Sequence, residues 1–204
     1  MSRHFRTAAA PIFTATRMLL VFTLLTGGVY PLIILSAGQL LFPYNAGGSL
    51  LRDGTQVVGS EYIGQNFESS HYFWGRLSST PDFPYNSGSS SGSNFGPGNP
   101  KLLIAAENRI TQLRKFPVPL VDIPVDLVTS SASGLDPHIS PAAAEYQIPR
   151  VAAARAMKEE TVKQLVTEHT ELRTLGLFGE PRVHVLRLNR ALDQSAKRQI
   201  ESKD

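Results

Sequence analysis

Cysteine is absent from all 204 residues of the sequence. Disulfide bonds and thiolate metal sites are therefore excluded, and the redox compartment cannot be inferred from cysteine usage. An excess of one charge sign is also missing, because 20 Lys and Arg residues stand against 17 Asp and Glu residues, for a net charge of +3. A nucleic-acid surface requires basic side chains gathered on one face. We therefore expect no nucleic-acid partner.

Charged residues are also absent from residues 18–42, "MLLVFTLLTGGVYPLIILSAGQLLF". A run of this length can cross the lipid bilayer, whose hydrocarbon core is about 30 Å thick. Its first half resembles a cleaved signal peptide, but such a peptide has a shorter apolar stretch, and the continuation to Leu41 favours an uncleaved anchor. A buried helix of a soluble protein is disfavoured because the run has no polar face. Gly27, Gly28 and Pro31 predict a kink in this membrane helix.

The flanking charges predict the orientation of the helix. Three basic residues precede it with no acidic residue among them: Arg3, Arg6 and Arg17. Positive residues near a membrane helix stay on the cytoplasmic side, so most of the chain is expected outside the cytoplasm. The predicted organisation is a cytoplasmic tail at residues 1–17, a transmembrane helix at residues 18–42 and an extracytoplasmic domain at residues 43–204, with a mobile polar tail after Asp193.

Two residue pairs predict helix starts within the domain. Asn99–Pro100 and Ser140–Pro141 each place a side chain that can cap free amide groups before a proline suited to the first helical turn. Apolar residues recur at three- and four-residue spacing after Asn99 and within residues 158–172, which predicts amphipathic helices. Pro149 interrupts the helix that starts at Ser140, so two short helices meeting at a bend are expected.

Three segments have the composition of β-strands. They are rich in β-branched or alternating apolar residues and lie at residues 57–67, 123–133 and 181–193. Combined with the helices, they predict an α+β fold. We expect a single N-terminal transmembrane helix followed by one domain with a small β-sheet and several helices.

Residues 71–100 form a loop that is longer than ordinary connections and rich in Ser, Gly, Pro and aromatic residues. A flexible linker would leave the aromatic side chains in water, so we favour an ordered loop held by aromatic anchors. Arg76 could stack on an aromatic ring, face a partner's carboxylate or remain solvated. The candidate partner-contact residues of this loop are Tyr72, Phe73, Trp74 and Arg76, and those of the membrane helix are Gly27 and Gly28.

The stretch "SGLDPHIS", residues 133–140, gathers polar groups that suggest chemistry. A hydrolytic triad brings together residues from separated parts of a chain, whereas these candidates are sequence neighbours and no GxSxG motif surrounds them. A metal site at Asp136 and His138 would need further ligands at a suitable spacing. A structural turn and helix cap is therefore favoured, made by Ser133, Gly134, Asp136, Pro137, His138 and Ser140.

Several long motifs, taken in order, resemble one family: the potassium-transporting ATPase C chain (KdpC), an accessory subunit of the bacterial Kdp P-type ATPase complex. The quoted stretches span nearly the whole chain: "YIGQNF", "YFWGRLSSTPDFPYN", "SSGSNFGPGNPKL", "PVDLVTSSASGLDPHISPAAAEYQIPRVA" and "LGLFGEPRVHVLRLNRALD". One departure from the expected pattern is His184, where an asparagine is typical of the family. A change at this position would alter the fit to a partner more than the fold.

The resemblance implies a subunit of a high-affinity potassium importer in the bacterial inner membrane. Its implied partners are a catalytic P-type subunit, which hydrolyses ATP, and a channel-like subunit, which binds potassium. The family is described as supporting ATP use by the catalytic subunit. This chain has neither a DKTGT phosphorylation motif nor a P-loop, so we expect a non-catalytic chain that holds no cofactor alone, with ATP associated with the complex. The alternative is a membrane-anchored extracytoplasmic binding protein or enzyme that uses Asp136 and His138.

Overall fold

The computed structural model describes residues 3–116, 119 and 121–201. The chain divides into two compact units, Met1–Leu50 and Leu51–Asp204. The first unit consists of helices: α1 (Arg3–Leu24), a π-helical turn (Leu25–Val29), α2 (Tyr30–Leu41) and α3 (Pro43–Ala46). The second unit is the domain.

The first unit contains the predicted membrane-span candidate. Residues Ala10–Leu41 form one apolar helical stretch of 32 residues, long and apolar enough to cross a membrane. Among the described residues it is the one helix of this kind, which agrees with the single N-terminal segment predicted from the sequence. The stretch begins before residue 18 because the helix continues through Arg17 without interruption.

The irregularity predicted at Gly27, Gly28 and Pro31 takes the form of a π-helical turn. Pro31 has no backbone N–H and therefore cannot donate the helical hydrogen bond to residue 27. Just before it, the Tyr30 N–H bonds to the carbonyl of Leu25, five residues back rather than four. Such π turns are a common way for a helix to absorb a local misfit.

The domain contains two small sheets. Strands β1 (Leu50–Asp53) and β2 (Gln56–Ser60) form a two-stranded sheet. A three-stranded antiparallel sheet has the order β3-β5-β4, with β3 at His138–Ile139, β4 at Thr170–Glu171 and β5 at Arg182–His184. The pairing of Ile139 with Val183 brings the end of the 133–140 stretch next to the last strand.

The helices of the domain surround one apolar core. They are α4 (Pro100–Leu113), α5 (Val125–Val128), α6 (Pro141–Arg155), α7 (Glu159–Glu168) and α8 (Val185–Glu201). The core is filled by side chains from α6, α7, α8, β5 and the aromatic loop, including Val151, Val162, Val183, Leu188, Leu192 and Phe73, each 0% exposed. The predicted α+β class is confirmed, and so are helices α4 and α7.

The strand predicted over residues 181–193 is wrong beyond His184, because helix α8 begins at Val185. The buried residues of α8 are Val185, Leu186, Leu188, Asn189 and Leu192, and positions 185, 188, 189 and 192 lie on one face of a helix. Asn189 interrupts the apolar pattern in the sequence although it lies in the core. The helix also continues past Asp193 to Glu201, where the sequence predicted a polar tail.

Two further predictions of local structure are wrong. Helix α6 runs without a break through Pro149, because the burial of Tyr146, Ile148 and Val151 on both sides of the proline offsets the lost hydrogen bond. Within the strand predicted at residues 123–133, the structure has a helical turn at Val125–Val128 and an isolated bridge at Ser130.

Candidate functional site

The "SGLDPHIS" turn is built around Gly134, whose φ of +69° lies in the left-handed region. A side chain at this position would meet the Ser91 carbonyl oxygen at 2.6 Å and the Thr80 methyl group at 2.7 Å. The Ser133 hydroxyl accepts a hydrogen bond from the Leu135 N–H at 3.1 Å. A glycine is therefore required by the backbone conformation and also by the close approach of the aromatic loop.

The turn fastens the loop of residues 71–100 through backbone groups. The Ser78 hydroxyl donates to the Gly134 carbonyl at 2.7 Å and accepts from the Tyr85 N–H at 2.8 Å. The Ser91 N–H donates to the Ser133 carbonyl at 2.9 Å. These bonds tie the middle of the loop to a single turn and satisfy backbone groups that have no strand partner.

Asp136 is held by three groups of its own chain. Its Oδ1 accepts from the His138 N–H at 3.0 Å and lies 3.2 Å from His138 Nδ1, and its Oδ2 lies 3.4 Å from the Arg76 guanidinium. Burial alone would raise the pKa of Asp136, but the hydrogen bonds from His138 and the charge of Arg76 outweigh it and hold the pKa below its ordinary value. A carboxylate with a lowered pKa is a weak general base near neutral pH.

Ser140 lies at the N-cap of α6. Its hydroxyl accepts from the Ala143 N–H at 3.0 Å and donates to Asp126 Oδ1 at 3.2 Å, and its own N–H donates to Asp126 Oδ2 at 2.8 Å. The Ser140 oxygen is therefore committed to the helix start and to the carboxylate of Asp126. This arrangement does not place a histidine base beside a free hydroxyl, as nucleophilic catalysis requires.

A groove of about 600 Å³ lies beside the turn, lined in part by Arg76, Asp136, His138 and Arg182. Its charged groups are already paired within the chain: Arg76 with Asp136, and Arg182 with Glu171 at 2.9 Å. Across the described part of the chain, no cluster of three or more His, Asp and Glu side chains is placed to hold a metal ion. The charged side chains at this groove therefore hold neighbouring segments of the chain together.

Two side-chain amides hold the backbone of Phe73 and Trp74 inside the core. The amide of Gln147, on α6, accepts from the Trp74 N–H at 2.8 Å and donates to the Trp74 carbonyl at 3.1 Å. The amide of Asn189, on α8, accepts from the Phe73 N–H at 2.8 Å and donates to the Phe73 carbonyl at 3.0 Å. Each amide supplies the donor and acceptor that a neighbouring strand would supply in a sheet.

Two buried arginines flank the indole ring of Trp74. The guanidinium carbon of Arg150 lies 4.3 Å from the ring centroid, and that of Arg109 lies 4.8 Å from it. Arg150 donates to the Ser70 carbonyl at 2.9 Å and to Gln147 Oε1 at 2.6 Å, while Arg109 donates to the Gly75 carbonyl at 2.6 Å. Burial and the nearby charge of Arg109 lower the pKa of Arg150 to about 9, which still leaves it protonated at neutral pH.

A family model described as "K+-transporting ATPase, c chain" matches residues 12–194, which include most of the first unit and most of the domain. The chain belongs to this family. Three similar curated proteins are named "Potassium-transporting ATPase KdpC subunit". The protein of Herpetosiphon aurantiacus is 53% identical, with 95% of this chain and 97% of the relative covered. That of Polaromonas naphthalenivorans is 59% identical over 85% and 89% of the two chains, and that of Ralstonia nicotianae is 56% identical over 83% and 84%.

Membership of the family agrees with the organisation of the chain. The chain has one apolar N-terminal helix, consistent with a membrane anchor, and one α+β domain. It also supports assignment to an ATPase complex for potassium transport. The alternative of an enzyme that uses Asp136 and His138 receives no support from the geometry, because both side chains are bound into the turn.

The partner-contact role predicted for Phe73 and Trp74 does not hold, because these side chains are 0% and 3% exposed and form part of the core. Arg76 is directed to Asp136 and to the Ser130 carbonyl of its own chain. Tyr72 is half-buried, and its hydroxyl donates to Asp193 at 3.1 Å. Gly27 lies exposed on the apolar helix and Gly28 is partly exposed, so a partner role remains a prediction for this pair.

The residues that organise the domain most strongly were missed in the sequence: Gln147, Asn189, Arg150 and Arg109. Each is a polar residue on the buried face of a helix. The sequence contains one indication of this burial. Gln147 lies one helical turn from Ala143, Ala144 and Val151, which are apolar, so it shares their face of the helix. Their partners are backbone groups of a loop distant in sequence, which no local pattern encodes.

His184, the position at which the family is expected to carry asparagine, is buried beside β3. Its Nε2 donates to the Glu61 carbonyl at 2.8 Å, its Nδ1 accepts from the Arg187 N–H at 3.4 Å, and its ring packs edge-on against His138 with centroids 5.2 Å apart. Burial lowers the pKa of His184 and outweighs the hydrogen bond to the Glu61 carbonyl, which acts in the opposite direction. The neutral ring is therefore the form that the fold stabilises.

We expect the stability of the domain to fall as the pH is lowered through about 6.5, the pKa of an unfolded histidine. Below that pH the unfolded state binds a proton that the folded His184 resists, so one such group contributes a slope of at most about 1.4 kcal/mol per pH unit until the lower folded pKa is reached. His184→Gln keeps an amide donor for the Glu61 carbonyl and removes the titration. The free energy of unfolding of this variant, measured from pH 8 to pH 5, should show a smaller slope than that of the wild type. An unchanged slope in His184→Gln would contradict the assignment.

Proposed function

We propose that this chain is an accessory, non-catalytic subunit of a high-affinity, ATP-driven potassium import complex. In this proposal a separate P-type subunit hydrolyses ATP and a separate channel-like subunit binds potassium, while this chain stabilises their assembly and supports ATP use. The observation that carries the proposal is the family match over residues 12–194, which includes the apolar helix and nearly the whole domain. Relatives more than 50% identical are named as subunits of a potassium-transporting ATPase.

The internal bonding of the domain supports a structural role. The polar groups that could have formed a reacting site are used to fix the loop: Asp136 in the turn, Ser140 at the helix start and Gln147 against Trp74. A domain whose irregular segments are held by internal hydrogen bonds changes little on binding, so it loses little conformational entropy when it binds. This is suited to a subunit that holds others in position.

The proposal places the N-terminus in the cytoplasm and the domain on the outer side of the inner membrane, because the basic residues of the flanks precede the apolar helix. ATP is then bound by the catalytic subunit and not by this chain alone. Support for ATP use is transmitted by packing between subunits: by the membrane helix within the bilayer, and by the domain at the outer mouth of the channel-like subunit.

The topology predicts which side of the membrane exposes the domain to protease. With an epitope tag at the C-terminus, the domain should be degraded when protease is added to intact spheroplasts, and it should be protected in inverted membrane vesicles. A cytoplasmic protein measured in the same samples controls for lysis. Protection in spheroplasts together with cleavage in inverted vesicles would contradict the proposed orientation.

The glycine pair of the membrane helix predicts an effect on assembly. A Cβ at Gly27 meets no atom within 4 Å, and one at Gly28 meets only Leu24 Cδ1 at 3.7 Å, so the double variant Gly27→Leu, Gly28→Leu places neither Cβ in a clash within the chain. Small residues allow close helix packing in membranes, and we expect the variant to recover about tenfold less P-type and channel-like subunit than the wild type, a loss of about 1.4 kcal/mol.

The measurement is affinity purification of the tagged chain from detergent-solubilised membranes of potassium-starved cells, with mass spectrometry of the co-purifying subunits. Ala15→Leu, a smaller increase in size at another exposed position of the apolar stretch, is the control. Wild-type chain that purifies without these subunits would refute the proposed function. Equal recovery with the glycine variant would refute only the role of the glycine pair.

A further inference from the structure

A short turn near the end of the domain leaves four large apolar side chains in solvent. Leu172, Leu175, Leu177 and Phe178 are 80%, 85%, 75% and 65% exposed. We refer to residues 172–178 as the apolar turn. Side chains of this size together present on the order of 400 Å² of apolar surface. The largest apolar patch on a soluble monomer is commonly about 300–600 Å², and a patch of that size is often functional.

The apolar turn is held in a fixed conformation. The Thr174 N–H donates to the Phe178 carbonyl at 2.8 Å, and the Phe178 N–H donates to the Thr174 carbonyl at 3.0 Å. Leu175 has a φ of +55° and Gly176 a φ of +72°. A leucine in the left-handed region costs about 1–2 kcal/mol, and the exposed Leu175 side chain regains little of this through packing within the domain. Strain of this kind at an exposed position points to a function outside the fold.

The base of the apolar turn is electrically neutral. Arg173 pairs with Glu180 at 2.6 Å, and Arg182 pairs with Glu171 at 2.9 Å. A loop that seats on anionic lipid carries unpaired basic residues, and interfacial membrane anchors are enriched in Trp and Tyr. The apolar turn has its arginines paired and contains no Trp or Tyr. Its chemistry therefore matches an uncharged, apolar protein surface better than a bilayer surface.

A second copy of this chain is a poor match for the apolar turn. The groove beside the "SGLDPHIS" turn is lined in part by the charged side chains of Arg76, Asp136 and Arg182, and a second groove of about 480 Å³ beside α8 is lined in part by Asp53, Arg190 and Asp193. An apolar side chain inserted into either groove would take these charged groups out of water, which is costly. The apolar turn alone also falls short of the roughly 800 Å² per partner that a free-standing dimer buries. A subunit already tethered in one membrane complex needs less area, because tethering raises the effective concentration.

We propose that the apolar turn inserts into an apolar pocket on the extracytoplasmic surface of another subunit of the same complex. The proposal rests on the proposed function, since it requires both the complex and the outward orientation of the domain. The preformed turn acts as a knob: Leu175, Leu177 and Phe178 enter the pocket, and the two ion pairs remain at its rim. Burial of these side chains supplies binding energy that the membrane helix does not.

Photocrosslinking of the full-length chain within native membranes tests the contact directly. A benzophenone amino acid replaces Phe178 in one variant and Ile104, which is 55% exposed on α4, in the control. We expect the Phe178 position to crosslink to an apolar segment of another subunit of the complex, identified by mass spectrometry, and the Ile104 position not to do so. A photoproduct with lipid, a photoproduct with a second copy of the chain, or no photoproduct from position 178 would each overturn the proposal.

A pair of double variants measures the contribution of the apolar turn to assembly. Leu177→Gln with Phe178→Gln removes two knob residues, and Leu103→Gln with Ile104→Gln makes the matched change on α4, where these residues are 61% and 55% exposed. We expect the first to lower the recovery of partner subunits about tenfold at equal membrane abundance and the second to leave it unchanged. If wild-type chain recovers the subunits but both variants do so equally, the docking proposal fails and the proposed function stands. If wild-type chain recovers none, the proposed function itself fails.

Discussion

Replacing Gly134 with alanine is expected to lower the free energy of unfolding of the domain by about 2–5 kcal/mol, the sum of a left-handed backbone penalty and a steric clash. The φ of +69° disfavours any residue with a Cβ, and the added atom would lie 2.6 Å from the Ser91 carbonyl oxygen. Neither the turn nor the loop can move away without breaking the hydrogen bond between the Ser91 N–H and the Ser133 carbonyl.

Gly176→Ala is a matched control for this prediction. Gly176 has a φ of +72°, almost the same as that of Gly134, but a Cβ there meets nothing within 4 Å. The control should therefore be destabilised only by the backbone penalty, about 1–2 kcal/mol. Both can be measured by denaturant unfolding in detergent, followed by the fluorescence of the single tryptophan, Trp74. Equal losses in the two variants would show that the contact between turn and loop contributes little.

Replacing Gln147 with leucine is expected to cost about 3–5 kcal/mol, because each buried polar group that loses its partner costs about 1–3 kcal/mol. The substitution keeps a similar volume but leaves the Trp74 N–H and carbonyl without their partner and removes one acceptor from Arg150. Gln147 is 0% exposed, so water cannot replace these bonds without opening the core. A red shift of the Trp74 emission should accompany the loss as the loop leaves the core.

Two further variants separate hydrogen bonding from general effects of substitution. Gln164→Leu makes the same change at an exposed position of α7 and should lie within about 0.5 kcal/mol of the wild type. Gln147→Glu keeps an oxygen that can accept from the Trp74 N–H and from Arg150 but loses the donor to the Trp74 carbonyl. It should therefore fall between the wild type and Gln147→Leu. A Gln147→Leu variant as stable as Gln164→Leu would contradict the role of the amide.

The sequence predicted those features that short-range chemistry determines. The Asn99 side chain accepts from the Lys101 N–H at the start of α4, and Ser140 caps α6, as the cap-then-proline pairs indicate. The uncharged run of the membrane-span candidate is likewise a property of the local composition. In these cases the residues that decide the structure lie within a few positions of one another.

The features that were not predicted depend on contacts between distant segments. Asn189 looks polar and interrupts the helical pattern of α8, yet it is buried because it bonds to the backbone of Phe73, 116 residues away. Pro149 normally ends a helix, but α6 continues because the core packs against both halves. The aromatic loop could be predicted to be ordered, but the sequence could not show that its central aromatics face inward, since the amides that hold them lie on α6 and α8.

The measurement that tests the central claim most directly is potassium-stimulated ATP hydrolysis by the purified complex with and without this chain. We expect the chain alone to hydrolyse no ATP, the remaining subunits to show reduced potassium-stimulated hydrolysis, and re-addition of the full-length chain to restore it. ATP hydrolysis by the chain alone, or full activity of the complex in its absence, would contradict its assignment as an accessory, non-catalytic subunit.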